Sequence, residues 1–547
     1  MLRSLSLVWS LSLLLVACGD YEGDGGSSIP FNPGGADAGA APPPFADAGA
    51  AQDSGFLAEP EEPEDEVDND QFEEVGTNPF VRTSYDPLST FAADVDTASY
   101  DIFVRDIEDG LLPNRSSVRL EEYVNFFDYA YETPETGAEV PFAIDLELAD
   151  HAMGRELAQL RVGIQAAAPA EFEKRPTHIV FLIDVSGSMN AADKLPLVQR
   201  LVNATAEELD PDDLVSIVSY AGSTSVRLSG VRAEDTQRIQ REVNRLSSGG
   251  GTAGGAGIQL AYQQAEEHFI EGGFNHVVLC TDGDFNIGIS DRDELVELIE
   301  EKRLTGVTLT AIGFGRGNLN DAMMERVSNA GNGIYSVMSS AAQVDRYAAE
   351  DILNTAQHVA QDMKIQVEFN PEHVVAYRLL GYENRAIADD DFRVDTVDAG
   401  EVGAGHRVTA IYELVLEGQS IPGGQNTPEI LEGIERPGER EITPDELVRV
   451  KVRWKELGAT PEDPADEVAV SLLPEDLLAA GDAGEDLRWA AAIAAFAEIL
   501  KESPFADIAD LDAIEAIVSV QAERDQDRAA FVGHLRRARG MIPTTSP

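Results

Sequence analysis

The sequence predicts an α/β protein with a doubly wound parallel sheet at its centre and antiparallel strands on either side. Three observations carry this. The run Ile179-Val180-Phe181-Leu182-Ile183 is apolar without alternation and ends abruptly in Asp184, Ser186 and Ser188, the pattern of a strand buried on both faces of a parallel sheet. From residue 177 to about 358 a strand-and-helix rhythm follows, with strands expected at 179–184, 214–219, 224–228, 275–280, 307–313 and 333–337. Amphipathic helices such as "KLPLVQRLVNATAEEL" and "RDELVELIEEKRL" lie between most of them, which indicates helices on both faces of the sheet. The flanks instead alternate apolar and polar residues, as in "VPFAIDLELAD", "LAQLRVGIQA", "MKIQVEF", "RVTAIYELVL" and "LVRVKVRW", as half-buried antiparallel strands do.

Taken in order, the chain begins with Arg3 and the apolar stretch "LSLVWSLSLLLVA", too short to span a membrane as a stable helix and followed at once by Cys18-Gly19. Leu15-Val16-Ala17-Cys18 resembles the lipobox of bacterial lipoproteins, which implies a signal peptide at 1–17, cleavage before Cys18 and acylation of its thiol. The other reading of these residues is an ordinary secretory signal with an incidental cysteine. Residues 19–80 hold 16 acidic residues and no Lys or Arg, with a repeat, "ADAGAA", at 36–41 and 46–51. Such a segment cannot bury enough apolar surface to fold, so 18–80 is expected to be a disordered tether, with an end-to-end distance of ~45 Å.

Residues 81–135 read as an N-terminal helical segment, with two short helices around a turn at Gly110–Asn114 and apolar spacing such as Tyr123, Phe126 and Phe127. Inside it, Asp94-Val95-Asp96-Thr97 invites comparison with the Asp-x-Asp of haloacid-dehalogenase phosphatases. The match fails at Ala98 and because no strand is expected in "STFAA"; the cluster reads as a helix start. Strands at 136–176 and 359–473 should pair into one β-sandwich, leaving 177–358 as an insertion with its termini close together. The Pro-, Gly- and Glu-rich residues 421–446 would be a loop within it. The Ala-rich 474–547 should be a helical segment.

Composition narrows the function. Against 99 Asp plus Glu stand 40 Lys plus Arg, a formal charge of -59, which repels nucleic acid and anionic lipid and attracts divalent cations or basic surfaces. Of the two cysteines, Cys280 lies in the apolar run "HVVLC". With Cys18 acylated it has no internal disulfide partner, so stability rests on packing or bound metal.

Oxygen-bearing side chains fall at the carboxyl ends of the central strands, where open α/β sheets bind ligands. The first strand contributes Asp184, Ser186 and Ser188, the run "CTDGDFN" contributes Thr281 and Asp282, and the glycine-rich "SSGGGTAGGAG" carries Thr252 just before a helix. This all-oxygen set, without His or Cys, suits a hard divalent cation whose octahedron water completes. On capping preference alone, Ser and Asp at such turns would be helix caps; Thr252 and Asp282 in register favour the metal. Thr281, Asp284 and Asn286 read as loop residues, and Asp193 as a cap of the first helix.

"DVSGS", with Thr252 and Asp282 at the matching spacing, resembles the metal-ion-dependent adhesion site (MIDAS) of von Willebrand factor type A (VWA) domains. The resemblance covers 177–358 and implies a Rossmann-like VWA fold. It implies that Ser186, Ser188 and Thr252 contact Mg²⁺ directly, with Mn²⁺ and Ca²⁺ as alternatives, while Asp184 and Asp282 can act through bound water. It further implies a protein partner that donates an Asp or Glu carboxylate to the metal. "DVDTASY", "RLEEYVNFF", "LLGYENR" and "DDFRVDTVDAGEVGAGHRVTAIYEL" extend the resemblance to the bacterial YfbK-type family, lipoproteins with a central type A domain.

An enzyme is the weaker reading. The eight histidines are scattered, and none forms His-Glu-x-x-His. Ser186 and Ser188 lack the Gly-x-Ser-x-Gly elbow, and "GGGTAGG" lacks the Lys of a phosphate-binding loop. The expectation is a non-enzymatic envelope lipoprotein that binds Mg²⁺ and mediates metal-dependent protein binding or adhesion. It would touch the membrane through its lipid anchor only, with the outer membrane favoured because Gly19 follows the cysteine, and it would not bind nucleic acid. A metal-dependent hydrolase and a metal-independent scaffold are the alternatives.

Overall fold

The computed structural model describes residues 69–93, 95–135, 138–167, 175–251, 254–283, 292–352, 358–397, 399–423, 427–432, 441–456, 459–460 and 463–543. The signal segment, Cys18, most of the acidic tether, Asp94, Thr252, Asp284 and Asn286 lie outside the described residues.

The described chain opens with strands β1 (Val81–Arg82) and β2 (Leu88–Ala92), helices α1 (Ala98–Glu108) and α2 (Leu120–Asn125), and strands β3 (Phe142–Asp150) and β4 (Ala158–Ala166). The central sheet follows, with β5 (Thr177–Asp184), β6 (Leu214–Tyr220), β7 (Thr224–Arg232), β8 (Phe274–Thr281), β9 (Val307–Phe314) and β10 (Tyr335–Met338). Its order is β10-β9-β8-β5-β6-β7. β5 lies inside the sheet with every residue buried, which is why its sequence is apolar on both faces.

Helices α3 (Leu195–Glu208), α4 (Thr236–Val243) and α8 (Ala341–Arg346) bury residues such as Val198, Ile239 and Val344 against one face. On the other face α5 (Gly254–Glu267), α6 (Arg292–Arg303) and α7 (Asp321–Ala330) bury Ile258, Leu295 and Met324. The sheet is thus doubly wound, with one refinement of the expectation. β7 runs antiparallel to β6 because only Ala221–Ser223 joins them, too short a link for the crossover that a parallel pair needs.

After the central sheet come β11 (His358–Phe369), β12 (Val374–Leu380), β13 (Gly400–Gly403), β14 (Arg407–Leu416), β15 (Val448–Lys455) and β16 (Asp466–Leu472). One antiparallel sheet runs β1-β12-β14-β4-β3 and the other β13-β11-β15-β16, with β2 also on β11. Strands from both sides of the central domain therefore build one sandwich, whose shared core includes Val162, Ile164 and Tyr412 from the first sheet and Ile365, Val450 and Val452 from the second. β2 corrects the reading of "STFAA", where no strand is expected: Ser89–Ala92 pair with Lys364–Val367 and bury Phe91 in the sandwich core. Asp96 is not a helix cap. It accepts from the Tyr335 backbone N–H at 2.9 Å and pairs with Arg385 at 2.9 Å, tying the N-terminal segment to the edge strand β10 and to the sandwich.

The last helices, α9 (Glu485–Leu500), α10 (Leu511–Gln521) and α11 (Gln526–Met541), do not stand apart from the first two. Tyr100, Phe103, Tyr123, Phe127, Trp489, Phe496 and Phe531 share one core, with ring centroids 5.0 Å apart for Phe127 and Trp489 and 5.6 Å for Phe496 and Phe531. Segments far apart in sequence thus form a single helical layer. Among the described residues no helix is long and apolar enough to cross a membrane.

Asp101 on α1 touches this layer's contact with the central domain. It is 5% exposed and accepts from Thr97 Oγ1 at 3.3 Å and from Gln343 Nε2 of α8 at 3.2 Å. Burial pushes its carboxyl up from 3.8 to about 7. The folded state therefore favours the protonated form, and stability falls as pH rises from about 4 to 7, then levels. Asp101→Asn is expected to flatten this limb and to be more stable than the wild type at pH 8 by on the order of 4 kcal/mol, as urea unfolding at pH 5 and pH 8 will show.

Candidate metal centre

The carboxyl ends of β5 and β8 place Asp184 and Asp282 at adjacent strand ends, because the two strands are parallel neighbours in register up to Ile183 and Cys280. Asp184 is fully buried and Asp282 is 1% exposed. Beyond Asp184 the chain turns into a short 3-10 helix at Gly187–Asn190, which faces the Ser186 and Ser188 hydroxyls toward each other at 2.9 Å. Asp184 Oδ1 accepts from the Ser186 N–H at 2.8 Å, and its Oδ2 accepts from Thr281 Oγ1 at 3.1 Å. Thr281 in turn accepts from the Gly283 N–H at 3.1 Å, so it supports the loop and orients Asp184.

The glycine-rich loop is laid across this corner. Gly249 N–H donates to the Val185 carbonyl at 2.8 Å, and Gly187 N–H donates to the Gly250 carbonyl at 3.2 Å. The structure thus brings together four of the five residues singled out in the sequence and fixes the backbone leading to the fifth, Thr252, which lies outside the described residues.

Two neighbours were not foreseen. Lys194 Nζ lies 3.1 Å from Asp282 Oδ2, and Asn318 Nδ2 donates to the same oxygen at 3.3 Å. Lys194, not Asp193, occupies the N-cap position of α3, and no side chain caps that helix; the cap expected at Asp193 is absent. The only sequence hint was that Lys194 is the sole Lys or Arg between Arg175 and Arg200. The loop that carries Asn318 is itself pinned by Arg105 of α1 and by Asp70, which corrects the expected extent of the tether: residues 69–80 are ordered, with Asp70 bonded to this loop and Phe80 1% exposed. Asp70 Oδ1 accepts from Gly317 N–H at 2.9 Å and Leu319 N–H at 2.8 Å, while Arg105 Nη1 donates to the Gly315 carbonyl at 3.0 Å and Arg105 Nη2 pairs with Asp70 Oδ2 at 2.9 Å. Gly283 must be glycine: it sits at φ +91°, and a Cβ would meet Leu319 Cα at 2.5 Å.

The donor set suits a hard divalent cation. Burial raises the Asp184 carboxyl from 3.8 to about 6, the bonds from Ser186 draw it back, and the charge of Asp282 adds to the rise. A buried carboxylate held up in this way is the group that an added cation relieves. Among the described residues no three His, Cys, Asp or Glu side chains cluster as a zinc site would need. His178 and His276 lie near the opposite ends of β5 and β8, away from this corner.

Three family models match: von Willebrand factor over residues 66–160, von Willebrand factor type A domain over 178–350, and uncharacterized protein YfbK, C-terminal, over 354–541. The uncharacterized protein YfbK of Escherichia coli is 36% identical over 442 residues, covering 80% of this chain and 75% of that protein. The chain belongs to the YfbK family. This member of the YfbK family also resembles the human inter-alpha-trypsin inhibitor heavy chain H3, 28% identical over 174 residues, which are 30% of this chain and 19% of the heavy chain. A solved von Willebrand factor type A protein from Catenulispora acidiphila covers 75% of this chain and 90% of its own, at 16% identity and a TM-score of 0.41. In general, the type A domain is a protein-interaction and adhesion module rather than an enzyme.

Proposed function

We propose that this YfbK-family chain is a lipid-anchored envelope protein whose type A domain binds Mg²⁺ through Asp184, Ser186, Ser188, Thr252 and Asp282 and accepts a carboxylate from a protein partner. Mn²⁺ and Ca²⁺ are the alternative ions. The observation that carries this reading is the pair of facing hydroxyls, Ser186 and Ser188 at 2.9 Å, set beside the two buried carboxylates. When bound, the cation supplies an electrophilic position that seeks an oxygen ligand. Ser186 and Ser188 would hold it through neutral oxygens, which add no charge of their own to the site. Asp184, oriented by Thr281, and Asp282, oriented by Asn318 and Lys194, would balance the charge from beneath. An Asp or Glu of the partner then becomes the natural outer ligand.

The envelope location rests on the apolar N-terminal stretch and Leu15-Val16-Ala17-Cys18, with acylated Cys18 the only membrane contact and the outer membrane favoured. The acidic tether would hold the folded part off the lipid surface.

Affinity capture from envelope fractions provides the test, comparing wild type in Mg²⁺, wild type in EDTA, and Asp282→Ala in Mg²⁺. The same proteins should be retained in the first arm and lost in the other two. Equal retention in all three arms would favour a metal-independent scaffold.

A further inference from the structure

We propose that Lys194 is an internal counter-cation that holds down the site's affinity for a divalent cation alone and reserves tight binding for the moment an acidic ligand arrives. The inference rests on the metal reading above and deepens it. Its basis is the ion pair between Lys194 Nζ and Asp282 Oδ2 at 3.1 Å, with the two side chains 8% and 0% exposed. This contact is built rather than incidental. Lys194 reaches Asp282 by running across Gly315, which sits at φ +73° and where a Cβ would meet Lys194 Cγ at 2.7 Å, Lys194 Cε at 2.9 Å and Asp193 Oδ2 at 2.9 Å. The Gly315 carbonyl is fixed by Arg105, and the following loop brings Asn318 to the same carboxylate oxygen.

The consequence follows from charge. Asp184 and Asp282 together balance one divalent cation. With the Lys194 ammonium also in place, one positive charge is left over in a buried corner where charges interact far more strongly than in water. The ammonium and the cation also compete for the same Asp282 carboxylate. A single carboxylate arriving from outside neutralises the surplus, so metal and acidic ligand should bind with positive coupling, each tightening the other.

The experiment is Mg²⁺ titration of the full chain by calorimetry, for the wild type, Lys194→Gln and Lys194→Met, each with and without acetate as the carboxylate probe. Both variants should bind Mg²⁺ alone about tenfold or more tightly than the wild type. Acetate should strengthen Mg²⁺ binding in the wild type and do so clearly less in the variants. Equal or weaker Mg²⁺ affinity in variants that still bind the ion overturns the role of Lys194 and leaves the metal site standing. Absence of binding in all three chains overturns both. A measurement on the wild type alone covers the case in which the variants fold poorly: acetylation of lysines by an N-hydroxysuccinimide ester, read by mass spectrometry. Lys194 should be protected without Mg²⁺ and modified faster with it, whereas an unchanged rate counts against the displacement.

Discussion

Arg378→Met is expected to cost the folded chain about 3–5 kcal/mol, the usual effect of removing one partner from a buried ion pair. Arg378 on β12 is 1% exposed and lies between two carboxylates from different layers: Glu413 Oε2 on β14 at 2.9 Å and Glu498 Oε1 on α9 at 3.1 Å. Its guanidinium also stacks 4.2 Å from the Phe505 ring centroid. Methionine fills similar space but leaves two buried carboxylates without their main cation. Denaturant unfolding should show the midpoint falling with little change in slope; a loss below about 1 kcal/mol would mean that this network does not hold the helical layer to the sandwich. The same network sets an acid limb. Burial alone would raise Glu413, but Arg378, His151 and Arg155 bring it down from 4.5 to about 2. Its stabilising contribution is present above pH 4.5 and lost as pH falls toward 2. Arg378→Met should shallow that limb as well as lower the plateau.

The second large effect concerns the site itself. Asp184→Asn keeps an oxygen that can accept from the Ser186 N–H but removes the charge. Without metal, the wild-type carboxyl has a folded value of about 6 against an ordinary 3.8, so ionising it costs stability as pH rises from about 4 to 6. The asparagine chain cannot ionise and should therefore equal or exceed the wild type in stability at pH 8 without Mg²⁺. With Mg²⁺ at a hundred times its Kd the order should reverse. The wild type gains about 2.7 kcal/mol from a ligand that binds only the native state, and the variant gains nothing. Thermal unfolding with and without Mg²⁺ reads both halves. A variant that still gains stability from Mg²⁺ would place the ion elsewhere.

What could be read from the sequence follows the range of the interactions. "DVSGS" and "CTDGDFN" are local, and a parallel sheet brings the ends of neighbouring strands together without further information, so Asp184, Ser186, Ser188 and Asp282 were legible as a group. The alternating flanks likewise announced a sandwich, because period-two patterning states which face is buried. Lys194 and Asn318 were not legible. They reach Asp282 across 88 and 36 residues of chain, and nothing in the residues around them marks that destination. β2 escaped because "LSTFA" is short and becomes a strand only by pairing with β11. The union of the first and last helices escaped for a similar reason. Apolar spacing such as Tyr123, Phe126 and Phe127 announced a buried face, while its partner, Trp489 and Phe531, lies several hundred residues away.

The central claim is a divalent-cation site built from five oxygen-bearing side chains, and direct calorimetric titration with Mg²⁺ tests it most plainly. The chains compared should be the wild type, Asp184→Ala, Asp282→Ala and Thr252→Ala. The account predicts saturable one-to-one binding in the wild type and its loss in both aspartate variants, with Thr252→Ala weakened. Binding that survives in Asp184→Ala and Asp282→Ala, or that is absent from the wild type even with a carboxylate present, would contradict it.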